Sequence, residues 1–234
     1  MNKNKSIDFV QIKNIFESIS NEYDFMNDLM TLRNHSKWKK EIAEIAIASS
    51  PKRILDIATG TGDIAINLSK IKGSKIEGVD ISGNMLKIAR KKIDKLKIDN
   101  IVLKTCEAEN LVFEDKHFDI VSIGYGVRNF SNLGKGLSES FRVLKKDGKL
   151  IILETSIPEN LIVKFMYTII TSIYIPIIAF IFSGKTKAYL YLLDSTKKFP
   201  PKNKFIKMLY RKGFKKVETR KKLYGASTIY IASK

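Results

Sequence analysis

Cysteine is almost absent from this 234-residue chain: Cys106 is the only one, so no disulfide can close within it, which suits a reducing, cytosolic setting. Histidine is nearly as scarce. His35 is far from Cys106 and His117 stands alone, so no metal-ligand cluster is spelled out and no metal is expected. Arginine supplies 7 of the 42 basic residues; the other 35 are lysines, scattered rather than blocked, and they carry the net charge to +18. Without a dense basic block, a nucleic-acid partner is not expected, while a weak attraction to anionic membranes is. No internal repeat or low-complexity tract occurs. The opening MNKNKSIDFV is polar, with neither an apolar run nor a cleavage site, so a cytoplasmic chain without a secretory leader is expected.

What is present is an apolar fraction of 44%, enough to bury a sizeable core, over a length that suits one α/β domain with additions. Residues 1–50 read as a helical cap. FVQIKNIFESI places Phe9, Ile12, Ile15, Phe16 and Ile19 at helical spacing, and HSKWKKEIAEIAIA does the same with Trp38, Ile42, Ile45 and Ala46, with Ser36 as the expected N-cap. Residues 51–157 alternate strands (RILDIA, KIEGVD, NIVLKTC, FDIVSIGY, KLIILET) with helices (DIAINLSKI, SGNMLKIARKKIDKL, LGKGLSESFRVL). That order implies a Rossmann-like, mostly parallel sheet with helices on both faces and right-handed crossovers. Ser82 is the expected cap of the second of these helices, and the Asp147–Gly148 pair an expected turn before the fifth strand. Residues 158–200 hold a long apolar segment. Residues 201–234 read as a helix ending at Gly213 and two strands turned by Gly225, an antiparallel hairpin that brings the sheet to seven strands in a single domain.

The chemistry centres on RILDIATGTGDIA. Gly60-Thr-Gly62-Asp-Ile-Ala65 fits the dinucleotide pattern G-x-G-x-x-G/A, and Asp80 ends the next strand twenty residues after Gly60, where a ribose-binding acid belongs. Spacing alone spells an NAD site. The flanking acids Asp56 and Asp63 argue otherwise: a carboxylate ~4–6 Å from a diphosphate repels it by roughly 1–4 kcal/mol. S-adenosylmethionine (SAM) has ribose and adenine but no phosphate, and its sulfonium and ammonium would be attracted. An acid just past the third strand, Glu107, with Ala108 beside it, suits the adenine amino group.

With these residues in view, the chain resembles the class I SAM-dependent methyltransferases, and more narrowly the ubiquinone/menaquinone biosynthesis C-methyltransferases. FESISNEYDFMNDLMTLRNHSKWKK is similar to that family's N-terminal signature. LDIATGTGDIA, VDISGNMLKIARKK, AENLVFEDKHFDIVSIGYGVRNF, LSESFRVLKKDGKLIILE, YLYLLDSTKKFP and YGASTIYIASK follow in the family's order. GVRNF and NLGKGL look more like the menaquinone branch. The resemblance implies cofactor contacts at Thr61, Asp80 and the pair Glu107–Ala108. It departs from the family's usual wording at Glu107 (Asn or Asp), at Gly124 (often Ser) and at DGK (PGG).

The reaction this implies is methyl transfer from SAM to a ring carbon of demethylmenaquinol. The carbon becomes nucleophilic when the neighbouring ring hydroxyl loses or shares its proton. Arg128, with Asn129 beside it, is the expected stabiliser of the phenolate or of a water that takes the proton; a structural ion pair is the plainer reading of the same arginine. His35 is the second candidate base. Tyr23, Asp24 and Asn27 are expected to line or close the cofactor site, and Tyr189 and Tyr191 to face a prenylated quinol. Residues 165–182 carry no charge and are long enough to span a bilayer. A single crossing would separate strands of one sheet, so the expectation is an apolar cap bent near Pro176, touching the membrane peripherally through 161–187 with Lys164, Lys185 and Lys187 towards headgroups. The rivals are a nucleic-acid methyltransferase, a ubiquinone-precursor methyltransferase, a non-enzymatic SAM or lipid binder and an NAD enzyme. The Pro-Pro-aromatic motif common in base methylation is missing, since Pro200–Pro201 is followed by lysine.

Overall fold

The structure is a computed structural model that describes residues 9–234; the polar opening segment discussed above lies almost wholly outside them. Three helices come first: α1 (Phe9–Ile19), α2 (Tyr23–Thr31) and α3 (Asn34–Ile47). The helix expected around Trp38 starts two residues before Ser36, which lies in its first turn and caps nothing. The reason is a tight corner: Leu32 and Arg33 both take positive φ, and the Asn34 side chain donates to the Thr31 carbonyl, so α3 follows α2 at once.

The alternating stretch then gives β1 (Arg53–Ile57), α4 (Asp63–Leu68), β2 (Lys75–Asp80), α5 (Gly83–Lys95), β3 (Ile101–Thr105), β4 (Phe118–Gly124), α6 (Leu133–Val143) and β5 (Leu144–Thr155). Ser82 caps α5, its hydroxyl accepting from Met85 N at 3.1 Å, and Asn132 caps α6 in the same way. After β5 come α7 (Leu161–Ile169), a π-turn over Ile170–Tyr174, α8 (Ile175–Ser183), α9 (Thr186–Lys198), α10 (Lys202–Arg211), β6 (Lys216–Lys222) and β7 (Ser227–Ser233). One sheet holds all seven strands in the order β3-β2-β1-β4-β5-β7-β6. Every pairing is parallel except those of β7, which runs antiparallel to both β5 and β6. The Asp147–Gly148 pair is no turn between elements. β5 already begins at Leu144, and Asp147 at φ +64° makes an irregularity inside it, where the register against β4 jumps from Phe118↔Leu144 to Ile120↔Lys149.

The central strands are apolar on both faces because helices cover both. On one side Ile42 and Ala46 of α3 and Ile64 and Leu68 of α4 pack on Ile54, Ile151 and Ile229. On the other, Leu137 of α6 and Phe205 and Leu209 of α10 pack on Phe118, Val121 and Tyr230. A third cluster ties the N-terminal helices to the apolar segment: Ile19 and Met26 meet Met85, Ile178, Ala179 and Tyr189.

The apolar segment is a 23-residue helical run, Leu161–Ser183, apolar enough by length and composition to cross a membrane. The π-turn precedes Pro176, whose missing N–H is absorbed at the junction. Crossing is incompatible with the sheet: Lys149–Thr155 before the segment pairs along its whole length with Ser227–Ser233 after it. Much of the segment nonetheless faces outward, with Leu161, Ile162, Phe165 and Phe180 each exposed by 65% or more.

Candidate functional site

The chain reverses its strand order between β1 and β4, and the loops that leave these two strands diverge. In open α/β sheets a ligand crevice forms there, beyond the carboxyl ends of the strands. A cleft of about 650 Å³ occupies that place. Its floor is the loop after β1. Gly62 takes φ +86°, and a Cβ there would lie 3.0 Å from the Ala89 Cβ of α5, so only glycine lets loop and helix approach this closely. Gly124, at the end of β4, is also fixed sterically, since a Cβ would fall 2.2 Å from the Ile64 side chain. The roof is a lid made by α1 and α2, through Phe9, Ile12, Phe16 and Tyr23.

Asp80 lines the cleft. Its two oxygens accept from Gly60 N at 2.8 Å and Ser82 N at 2.9 Å, which holds the loop and leaves a lone pair on each oxygen for a ligand. Burial pushes its carboxyl up to about 6. Gly60, Ala108, Gly124 and Asn129 line the cleft with it. Glu107 does not: it is exposed, and the acid that turns inward after β3 is Glu109, 8% exposed, accepting from the Ser131 hydroxyl and Asn132 N. Sequence reasoning passed over Glu109 because a loop has no strand alternation to tell which of two nearby acids faces in.

The two aspartates read as the electrostatic selector stand elsewhere. Asp56 is wholly buried and accepts from Thr59 Oγ1 and Ser122 Oγ, each at 2.6 Å; it braces the loop from below and does not line the cleft, and burial pushes it up to about 6. Asp63 points away from the cleft into a polar recess, where Lys39 lies 2.8 Å and Lys92 2.7 Å from its oxygens. Burial alone would raise its pKa, but the two ammonium groups overcome that and hold it well below the usual carboxylate range. Thr61 is buried, and its hydroxyl donates to Asp24 of α2 at 2.6 Å rather than to the cleft. Lys92 also reaches Asp24 at 2.6 Å, so Asp24 latches the lid to the loop. A second latch is Glu17 of α1, which accepts from Gly83 N and Asn84 N at the start of α5. The electrostatic choice between donors therefore rests on different residues. Among the described residues the cleft is lined by two carboxylates, Asp80 and Glu109, and by no Lys, Arg or His, in a chain of net charge +18.

Against this cleft lies a second, larger cavity of about 1670 Å³, walled by α2, α3, the apolar segment and α9. Tyr23 and Tyr125 line both. The lining is mainly apolar, with Asn27, Trp38, Tyr167, Ile170, Ile175, Tyr189 and Leu192 among its walls. Arg128 lies on its surface, and its guanidinium is held through Nε and Nη1: Nη1 pairs with Glu154 and donates to the Tyr125 carbonyl at 2.9 Å, and Nε donates to the Ser195 hydroxyl at 3.2 Å. The plainer reading, a structural ion pair, is thus present, and it lies beside the cavity. Asn129 stands at the junction, lining the cleft while its Oδ1 accepts from the Tyr191 hydroxyl at 3.3 Å. Tyr191 thereby reaches the site through Asn129 and lines neither space. His35 lines the larger cavity at 3% exposure, with Nδ1 2.8 Å from the Thr31 hydroxyl. Burial first, and then Lys39, lower its pKa to about 4, so its imidazole is neutral and weakly basic. Glu154, which sequence reasoning did not single out, had a visible signal: an acid closing an otherwise aliphatic strand, LIILE.

The comparisons with known proteins bear on the family and the fold. The model of the ubiE/COQ5 methyltransferase family matches residues 2–234. A demethylmenaquinone methyltransferase of Chlorobaculum tepidum is 41% identical over 228 residues, covering 95% of this chain and 92% of the relative. A ubiquinone/menaquinone biosynthesis C-methyltransferase of Rickettsia prowazekii is 37% identical, covering 98% and 96%. Among solved structures, a SAM-dependent methyltransferase of Thermotoga maritima superimposes with a TM-score of 0.65 at 22% identity, covering 94% of this chain and 99% of that one. One of Aquifex aeolicus gives 0.62 at 17%, covering 89% and 97%; these two likenesses show the fold.

Proposed function

Since the chain belongs to the ubiE/COQ5 methyltransferase family, we propose that it transfers a methyl group from SAM to a ring carbon of demethylmenaquinol, yielding menaquinol. The observation that carries the reading is the pairing of spaces: a small cleft lined, among the described residues, by two acids and no cation, and a large apolar cavity, joined at Tyr23 and Tyr125. A diphosphate would meet Asp80 and Glu109 with no compensating cation among the described residues, whereas a sulfonium and an ammonium would be attracted. When bound, SAM supplies a methyl carbon already activated by its positive sulfur, so the chain's own work is alignment and proton management.

Asp80 would accept from the ribose hydroxyls through its remaining lone pairs, and the Ala108 backbone lies at the rim where adenine would rest. The apolar cavity takes a prenylated ring, and Arg128 offers a positive charge to the developing phenolate. His35, neutral and weakly basic, is suited to packing and polarity rather than to proton abstraction. The outward face of the apolar segment serves to rest the chain peripherally on the cytoplasmic face of the membrane that holds the substrate. Leu161, Ile162, Phe165 and Phe180 support this, with exposed Lys164 and Lys187 close by. Lys185 does not join them, because it pairs with Glu22 of the lid at 2.9 Å.

The test is incubation of the full chain with methyl-labelled SAM and either demethylmenaquinol or a demethylated ubiquinol precursor, followed by mass analysis of the quinone. Label on the naphthoquinone ring carbon is expected. Label on the hydroxyl oxygen, or on neither acceptor, would overturn the reading.

A further inference from the structure

A buried carboxylate stands one hydroxyl away from the apolar cavity. Glu154 is the penultimate residue of β5, at 0% exposure. Its Oε1 accepts from Arg128 Nη1, from Thr155 N at 2.6 Å and from the Thr155 hydroxyl at 3.0 Å, and its Oε2 accepts from Arg128 N at 3.2 Å. The Thr155 hydroxyl is also 3.1 Å from that of Thr196 on α9. Both threonines line the apolar cavity, and both line a separate recess of about 720 Å³ on the other side. That recess reaches the surface beside Lys202 and Glu159. The two hydroxyls are therefore the partition between the substrate space and an outlet to solvent.

Methylation of a quinol ring carbon needs a group to receive the hydroxyl proton. Among the described residues no Asp or Glu lines the apolar cavity. Arg128 stays protonated. His35 already has its Nδ1 on Thr31 and is a poor base. Glu154 is the carboxylate within reach, through a single relay.

We propose that Glu154 is the proton acceptor of the methyl transfer, reached through the Thr155 hydroxyl, with the Thr155–Thr196 pair as the exit for that proton. The proposal rests on the methyl-transfer reading above. As the ring carbon forms its bond to the methyl carbon, the electron pair of the broken C–S bond stays on sulfur. The quinol O–H proton passes to Thr155 Oγ1 while Thr155 hands its own proton to Glu154 Oε1. The ring is then a ketone with a hydrogen still on the methylated carbon; loss of that hydrogen as a proton and return of a proton to oxygen restore the quinol. One proton remains in excess, on Glu154, and it leaves through Thr155 and Thr196. The pairing with Arg128 makes the step self-assisting: as Glu154 is neutralised, the guanidinium loses its counter-ion just as partial negative charge builds on the quinol oxygen.

The charged and titratable groups that face Glu154 are Arg128 and Tyr125 from the loop after β4, Tyr167 from α7 and Tyr230 from β7. Glu154→Gln leaves Arg128 buried without its partner and risks misfolding, so Thr155→Val is the primary variant, with Thr155→Ser as its conservative rescue. Turnover, quinol KM and SAM affinity are measured across pH. Thr155→Val is expected to lower kcat by about 100-fold near neutral pH, with KM and SAM affinity changed by less than about threefold, a deficit that shrinks as pH rises, and near-normal kcat for Thr155→Ser. A normal kcat in Thr155→Val, or a loss equal at every pH and shared by Thr155→Ser, would overturn the relay while leaving the methyl-transfer reading intact. An unaltered chain that turns over no quinol would overturn both.

Discussion

The lid latch yields a sharp prediction. Phe9, Ile12, Phe16 and Tyr23 roof the cleft, so a swing of α1 and α2 away from the sheet would uncover a bound cofactor. That movement breaks two contacts at Asp24: the Thr61 hydroxyl at 2.6 Å and Lys92 at 2.6 Å. A hydrogen bond to a charged acceptor contributes about 1.5–3 kcal/mol. The Asp24 side chain is 37% exposed, so the lower end of that range applies, and the ammonium adds no more than about 0.5–1 kcal/mol after solvent screening. The latch is then worth about 2 kcal/mol, and Asp24→Ala should weaken SAM binding roughly 30-fold. Calorimetric titration with SAM measures it. Thr61→Val removes only the hydroxyl contact and should cost about 1.5 kcal/mol. Because the two residues share one bond, the double variant should fall short of the sum of the singles by about 1.5 kcal/mol. Unchanged affinity in Asp24→Ala, or strict additivity in the double variant, would refute the reasoning.

Asp63→Asn should destabilise the chain at neutral pH by about 2–4 kcal/mol, since it strands the buried Lys39 ammonium. Because the folded Asp63 carboxyl is held below its unfolded value, its contribution is present above pH ~4 and fades as pH falls towards the folded value, so denaturant midpoints of variant and parent should converge in acid. Gly124→Ser should weaken SAM binding by about 1–3 kcal/mol through the clash with Ile64, and Ile64→Ala should restore most of it; binding titrations of the single and double variants check this. Phe165→Glu with Phe180→Glu should abolish sedimentation with anionic phospholipid vesicles while leaving turnover of a short-chain soluble quinol within about twofold, because both rings face outward.

How much of this was legible in the sequence depended on whether the deciding contact was local. β2 runs over KIEGVD as read, and Ser82 caps α5, because periodicity and capping act within a few residues. Asp80 was placed by spacing, since β2 and the glycine loop are neighbours in every sheet of this order. Asp56 and Asp63 were misread because a charge in a sequence has no direction. Asp56 is turned under the loop by Ser122, 66 residues on, and Asp63 is turned outward by Lys39 and Lys92 from two other helices. Ser36 failed for a similar reason, as the start of α3 is set by the left-handed corner at Leu32–Arg33 and not by its own hydroxyl. The large cavity was foreshadowed by the uncharged run of 165–182, but its acceptor side was not, because Arg128 and Glu154 meet only once β4 and β5 lie side by side.

Tyr23 ties the two spaces together mechanically. It belongs to α2 and forms part of the wall of both. Any displacement of α2 large enough to uncover one space would therefore open the other in the same motion.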